Sequence, residues 1–172
     1  MVQRLRRCVQ SWILATIPIM IKASGCLFLS VDTGRVLLQQ RSGSVNHPRT
    51  WAFFGGKAEK YERPIQTLFR ECEEELGILP DINKVYPLNQ FISPDKKFEY
   101  NTFVIAVFEE FIPQLNSESE GYAWVKIGNW PRPLHPGVKA QLYNKELIKK
   151  LKTILDTCTK DGPNWLESYY ED

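Results

Sequence analysis

Apolar positions along the chain follow two periods. In "ASGCLFLSVDTGRVLLQQR", residues 23–41, two apolar runs flank Asp32-Thr33-Gly34, a turn with glycine in the conformationally permissive slot, and this predicts a β-hairpin. The small and polar residues of "SGSVNHPRT" at 42–50 predict a loop, and a short extended piece from Trp51 to Phe54 leads into Gly55-Gly56. The period then changes. Between Arg63-Pro64 and Leu76 apolar residues recur at helical spacing, with proline suited to the first turn and Gly77 placed to cap the end in a left-handed conformation. The β-rich runs "KVYPLNQFI" (84–92) and "FEYNTFVIAVFEEF" (98–111), separated by Pro94-Asp95-Lys96-Lys97, predict a second hairpin. A further strand is expected at "GYAWVKI", residues 121–127, and a helix from Leu142 to Thr157 after the proline-rich "NWPRPLHPG".

Charge changes the picture of the first helix. At about 100° per residue, Ile65, Leu68, Phe69, Cys72 and Leu76 share one arc. Glu71, Glu74 and Glu75 share the adjacent arc at spacings i, i+3 and i+4, with Arg70 one turn before Glu74. This arrangement is unfavourable for an isolated helix. The like-charged Glu71–Glu75 pair costs roughly 0.2–0.5 kcal/mol, and each last-turn acid opposes the helix dipole by roughly 0.3–1 kcal/mol. A divalent cation offsets both terms. Three carboxylates on adjacent turns supply hard oxygen ligands of the kind that suit Mg²⁺ or Mn²⁺. Gly55-Gly56 add a backbone free to bend and offer a carbonyl to the same ion.

Composition bounds the remaining readings. The 172 residues are 43% hydrophobic and 24% charged, which suits one globular domain. A net charge of +2 is too small to imply a nucleic-acid or membrane partner through its field. The four cysteines form no C-x-x-C pair, so neither a zinc site nor a redox motif is indicated, and reduced thiols in a cytoplasmic protein are expected. Residues 1–19 hold Arg4, Arg6 and Arg7 before an apolar run interrupted by Pro18, too short to span a membrane. They read as an extension, a targeting segment, a surface-bound helix or a start placed upstream of Met20. The expected domain is then 20–158, with 159–172 as a polar and aromatic tail.

Read as a unit, this stretch resembles the Nudix box of the Nudix hydrolases. The pattern is Gly, five residues, Glu, seven residues, Arg-Glu, an apolar residue, any residue, Glu-Glu, any residue, Gly and an apolar residue. Gly56, Glu62, Arg70, Glu71, Glu74, Glu75, Gly77 and Ile78 fill it, with Cys72 in the inner apolar slot. Such a match has a chance probability on the order of 10⁻⁹ per starting position. "WAFFGGKAE" resembles the approach to the box in MutT-like members, although Phe54 stands where proline is common and Tyr61 replaces a usual glycine.

The resemblance implies an α/β/α sandwich with a mixed β-sheet, the Nudix helix spanning about 63–76. It implies hydrolysis of a pyrophosphate bond in a nucleoside diphosphate linked to another moiety, with (d)NTP or ADP-ribose-class substrates favoured. Glu71, Glu74 and Glu75 would hold Mg²⁺ or Mn²⁺ with the Gly55 carbonyl. Gly56, Glu62, Arg70 and Gly77 would support the site. A further acid from a later loop, Glu120 or alternatively Glu118, would complete it as base. Trp51, Phe53 and Lys57 are candidates for substrate contact. The partner is then a small nucleotide, not a stably bound nucleic acid, and a homodimer is left open. Alternatives are a dinucleoside-polyphosphate or RNA 5′-end pyrophosphohydrolase and a non-catalytic ligand-binding module.

Overall fold

The computed structural model describes residues 20–160. The readings of residues 1–19, and of the tail beyond Lys160, lie outside the described residues.

Seven strands form one mixed sheet. They are β1 (Ile21–Ser30), β2 (Arg35–Arg41), β3 (Trp51–Ala52), β4 (Phe54–Lys57), β5 (Ile82–Ile92), β6 (Phe98–Val107) and β7 (Ser119–Lys126). The order β3-β2-β1-β6-β5 forms its spine, with β4 paired to β1 and β7 to β2. Strands β1 and β6 run parallel from Ile21↔Phe98 to Ser30↔Val107, and every other pairing is antiparallel.

Period-two alternation divides the core between the two faces. Leu27 and Leu29 of β1, Leu38 of β2, and Val104 and Ala106 of β6 face one side. There they meet Val138 and Leu142 of helix α2 (Pro136–Leu142) and Leu151, Ile154 and Cys158 of helix α3 (Lys145–Lys160). Cys26, Phe28, Leu37 and Ile105 face the other side, against Leu68, Cys72 and Leu76 of helix α1 (Pro64–Leu76). The result is the expected α/β/α sandwich, and helix α1 keeps its expected limits, with Gly77 at φ 70° beyond its last turn.

Several boundaries differ from the expectations. The last helix begins at Lys145, because Asn144 Oδ1 accepts from the backbone N–H groups of Glu146 and Leu147 and so starts a new helix there. Leu142 instead ends α2, which the proline-rich stretch had concealed; Pro136 occupies its first turn. Strand β6 stops at Val107, and β7 starts at Ser119, two residues early.

Candidate active site

Helix α1 lies against β4, and the glycine corner Gly55-Gly56 determines how closely. Gly55 has φ 132°, and a Cβ there would sit 2.2 Å from the Ser24 carbonyl oxygen. Its N–H donates to Glu75 Oε2 at 2.7 Å. A Cβ on Gly56 would fall 2.3 Å from Glu71 Oε2, so the absence of a side chain lets the Glu71 carboxylate rest on the loop.

The three glutamates of α1 sit in different surroundings. Glu75 is buried and receives a second hydrogen bond, 3.0 Å from Gln39 Nε2 to Oε1. Burial is the main cause that pushes its carboxyl up to about 8; the hydrogen bonds from Gln39 and Gly55 oppose this, while Glu71 and Glu118 add to it. Glu71 is half-buried and also raised, again chiefly by burial, with Arg70 opposing and Glu74 and Glu118 reinforcing. Glu74 is the exposed member, its side chain 56% accessible.

Arg70 organises the outer side of this cluster. Its Nη1 donates to Glu71 at 2.9 Å and to Glu74 at 3.1 Å. Its Nε and Nη2 engage Glu62 at 2.8 and 3.1 Å, and Nη2 also donates to the Lys57 carbonyl. Glu62 in turn accepts from the Glu59 N–H and from Thr67 Oγ1, and the Arg70 guanidinium holds its carboxyl down at about 2. One cation therefore ties the loop after β4 to the helix.

A segment far away in sequence completes the cluster. Asn116 Nδ2 donates to the Glu74 carbonyl at 3.2 Å, satisfying an end-of-helix acceptor, and its Oδ1 accepts from the Glu118 N–H at 2.9 Å. Glu118 is thereby brought within electrostatic reach of both Glu71 and Glu75. Glu120 lies inside β7 and pairs with Arg49 at 3.9 Å.

Two residues that the sequence reading passed over take part. Gln39 is 1% exposed; it donates to Glu75 and to the Phe53 carbonyl, and it accepts from Ser119 Oγ. Its strand position, in phase with core-facing Leu37, was the available signal: a polar group there needs buried partners. Asn116 carried no local signal, because its role depends on a contact 42 residues away.

The donor set suits a hard divalent cation. Carboxylates of Glu71, Glu74, Glu75 and Glu118 share a neighbourhood in which Arg70 contacts only two of them, and two are raised by crowding and burial. Among the described residues no three acidic, histidine or cysteine side chains are placed so that they could hold a metal ion as they stand. Arg70 instead holds Glu71 and Glu74 on its side of the helix.

On the other side of Gly55 opens a cavity of about 460 Å³. Phe53, Phe91, Phe98 and Tyr100 give it flat apolar walls, and Arg41, His135 and Gln141 bring polar groups to it. Of the three candidates for substrate contact, Phe53 lines this cavity. Trp51 packs against the core on the α2–α3 face, and Lys57 is exposed. His135 is held neutral, its pKa lowered to about 4 by burial and by the nearby His47 and Arg41. Among the described residues no helix is long and apolar enough to cross a membrane.

Comparison with known proteins identifies the family. The profile of the NUDIX domain matches residues 21–145. An 8-oxo-dGTP diphosphatase of Haemophilus influenzae is 36% identical over 122 residues, 67% of this chain and 84% of that protein. A CTP pyrophosphohydrolase of Escherichia coli is 47% identical over a shorter stretch of 45 residues, 26% of this chain and 33% of that protein. In fold, the chain resembles a Nudix hydrolase from M. smegmatis, RenU, with a TM-score of 0.59 at 22% identity over 81% of this chain and 87% of that one. With the Nudix box complete and its carboxylates gathered on one helix face, the chain belongs to the Nudix family and is a MutT-like pyrophosphohydrolase.

Proposed function

We propose that the protein hydrolyses nucleoside triphosphates, or a closely related nucleoside diphosphate derivative, at a pyrophosphate bond in a reaction that depends on Mg²⁺ or Mn²⁺. One observation carries this reading: Gly55 lines the aromatic cavity and its N–H fixes Glu75. A nucleoside seated among the aromatic walls therefore extends its phosphates past Gly55 toward the glutamate cluster. Relatives whose names specify 8-oxo-dGTP and CTP favour nucleoside triphosphates within the wider class.

Glu71, Glu74 and Glu75 are the residues that would hold the metal, with the Gly55 carbonyl as a further oxygen donor. When bound, a divalent cation supplies charge neutralisation on the diphosphate and activation of water. The chain's own groups do the rest. Gln39 and the Gly55 N–H fix the orientation of Glu75, while Arg70 and Glu62 lock the loop to the helix. Glu118, carried in by Asn116, is placed to accept a proton from the attacking water. Glu120, in its pairing with Arg49, is the alternative base. The described cysteines are free thiols and buried, which supports a cytoplasmic setting.

The test is direct. Purified protein with Mg²⁺ and a panel of nucleoside triphosphates, ADP-ribose and dinucleoside polyphosphates should release a nucleoside monophosphate and pyrophosphate from at least one triphosphate, identified by mass. Metal-independent turnover, or no pyrophosphate-bond cleavage of any member, overturns the reading.

A further inference from the structure

His135, Gln141 and Asn144 line the aromatic cavity from α2 and the residues flanking it. Each side chain holds both a donor and an acceptor, and in each the acceptor is lost to the cavity. His135 Nδ1 accepts from the Gly137 N–H at 3.2 Å, so the proton of the neutral ring sits on Nε2. Burial, with His47 and Arg41 nearby, keeps that ring neutral. Gln141 Oε1 is shielded inside the protein, so the accessible end of the amide is its NH₂. Asn144 Oδ1 accepts from the Glu146 and Leu147 N–H groups, which leaves its NH₂ free to donate. Arg41, which also lines the cavity, has donors only. The side chains of this wall therefore offer donors alone.

We propose that His135, Gln141 and Asn144 form a specificity-determining wall that selects a nucleobase carrying an oxo group over its amino counterpart. This selection rests on the proposed nucleotide reading of the cavity. Phe53, Phe91, Phe98 and Tyr100 hold any flat heterocycle by its faces and so discriminate little between bases. Asn89 and the Tyr100 hydroxyl can each donate or accept, so they do not discriminate either. The donor wall does. A base oxo group accepts from His135 Nε2–H or from the Gln141 amide, and in an oxopurine the ring nitrogen beside it accepts a second hydrogen bond. An exocyclic amine at the same point sets donor against donor and leaves both without an acceptor.

Equilibrium binding separates this from turnover. Full-length protein with Mg²⁺ is titrated with α,β-methylene triphosphate analogues in two pairs, inosine against adenosine and uridine against cytidine. The oxo member should bind roughly tenfold or more tighter than its amino partner in at least one pair, and the amino member should bind tighter in neither. Gln141→Leu removes a donor without adding charge and should lower that preference by about threefold or more. His135→Asp keeps an acceptor for the Gly137 N–H but brings no donor, and should lower the preference likewise. His135→Asn keeps both the cap and a donor and should retain the preference. Equal binding within both pairs, tighter binding of an amino member, a preference unchanged in both Gln141→Leu and His135→Asp, or no binding of any analogue overturns the inference. Turnover of triphosphates measured in parallel tests the catalytic reading on its own: intact discrimination without cleavage sinks only that reading, and cleavage without discrimination sinks only this one.

Discussion

The Gly55 N–H and the Glu75 carboxylate meet at 2.7 Å, joining strand β4 to the last turn of the Nudix helix. Through this bond the backbone that lines the cavity also sets the position of a carboxylate of the acidic cluster. Gln39, fully buried on β2, grips the other oxygen of the same carboxylate.

Gln39 is therefore expected to act on catalysis without touching substrate. Gln39→Leu should lower kcat roughly 10- to 100-fold. It should also lower stability by about 1–3 kcal/mol, because the Phe53 carbonyl and Ser119 lose a buried partner. Steady-state kinetics with a denaturation curve check both effects. Unchanged kcat would show that Glu75 is held without Gln39.

The glycine corner gives a sharper steric test. In Gly56→Ala the new methyl would stand 2.3 Å from Glu71 Oε2, so that carboxylate must move. A displacement of about 1 Å at a catalytic centre costs roughly 100-fold. Gly43→Ala is the control, since the nearest atom to its methyl is Arg49 Nε at 4.0 Å. The first variant should lose most of its kcat while the second stays within about twofold of wild type. Equal activities would contradict the placement of Glu71.

The two candidate bases are separable. Glu118 acts electrostatically on Glu71 and Glu75, whereas Glu120 pairs with Arg49. Glu118→Gln should lower kcat by roughly 10²–10⁴. Glu120→Gln should change it by about threefold or less, an order-of-magnitude expectation for a surface ion pair. The opposite ranking would assign the base to Glu120.

His135 sets a pH dependence of stability. Its folded pKa of about 4 lies below the ordinary value of 6.5, so the unfolded chain binds more protons between these limits. Its contribution is complete above pH 6.5 and is lost as pH falls toward 4. His135 also accepts from the Gly137 N–H as the N-cap of α2, a role asparagine fills without titrating. His135→Asn should therefore show a smaller drop in melting temperature than wild type between pH 6.5 and 4.5. Parallel curves would remove His135 from the acid response.

Local chemistry made much of this legible in the sequence. Pro64 and Gly77 delimit α1 because each has a conformational reason to sit at a helix end, and the glutamates' helical spacing places them on one face. What escaped depends on long-range contacts. Asn116 is an ordinary loop residue until it meets the Glu74 carbonyl. The start of β7 at Ser119, fixed by pairing with Arg41, moves Glu120 into the sheet and leaves Glu118 at the strand's mouth. Helix α2 was hidden because three of the nine residues in "NWPRPLHPG" are prolines, which read as a loop although Pro136 opens a helix.

The most direct measurement is Mn²⁺ binding, followed by calorimetry and by the metal's magnetic resonance signal, in wild type and Glu75→Gln alongside kcat. Glu75 takes up a proton at about pH 8 when no metal is bound, so affinity for Mn²⁺ should rise with pH up to about 8 and level off above it. Glu75→Gln should weaken binding roughly 10-fold or more and remove the part of that pH dependence centred near 8, leaving only the part due to Glu71. It should lower kcat by roughly 10³-fold or more while the fold persists. Wild-type affinity for Mn²⁺ together with near-normal turnover in Glu75→Gln would contradict the claim that this carboxylate cluster holds the catalytic metal.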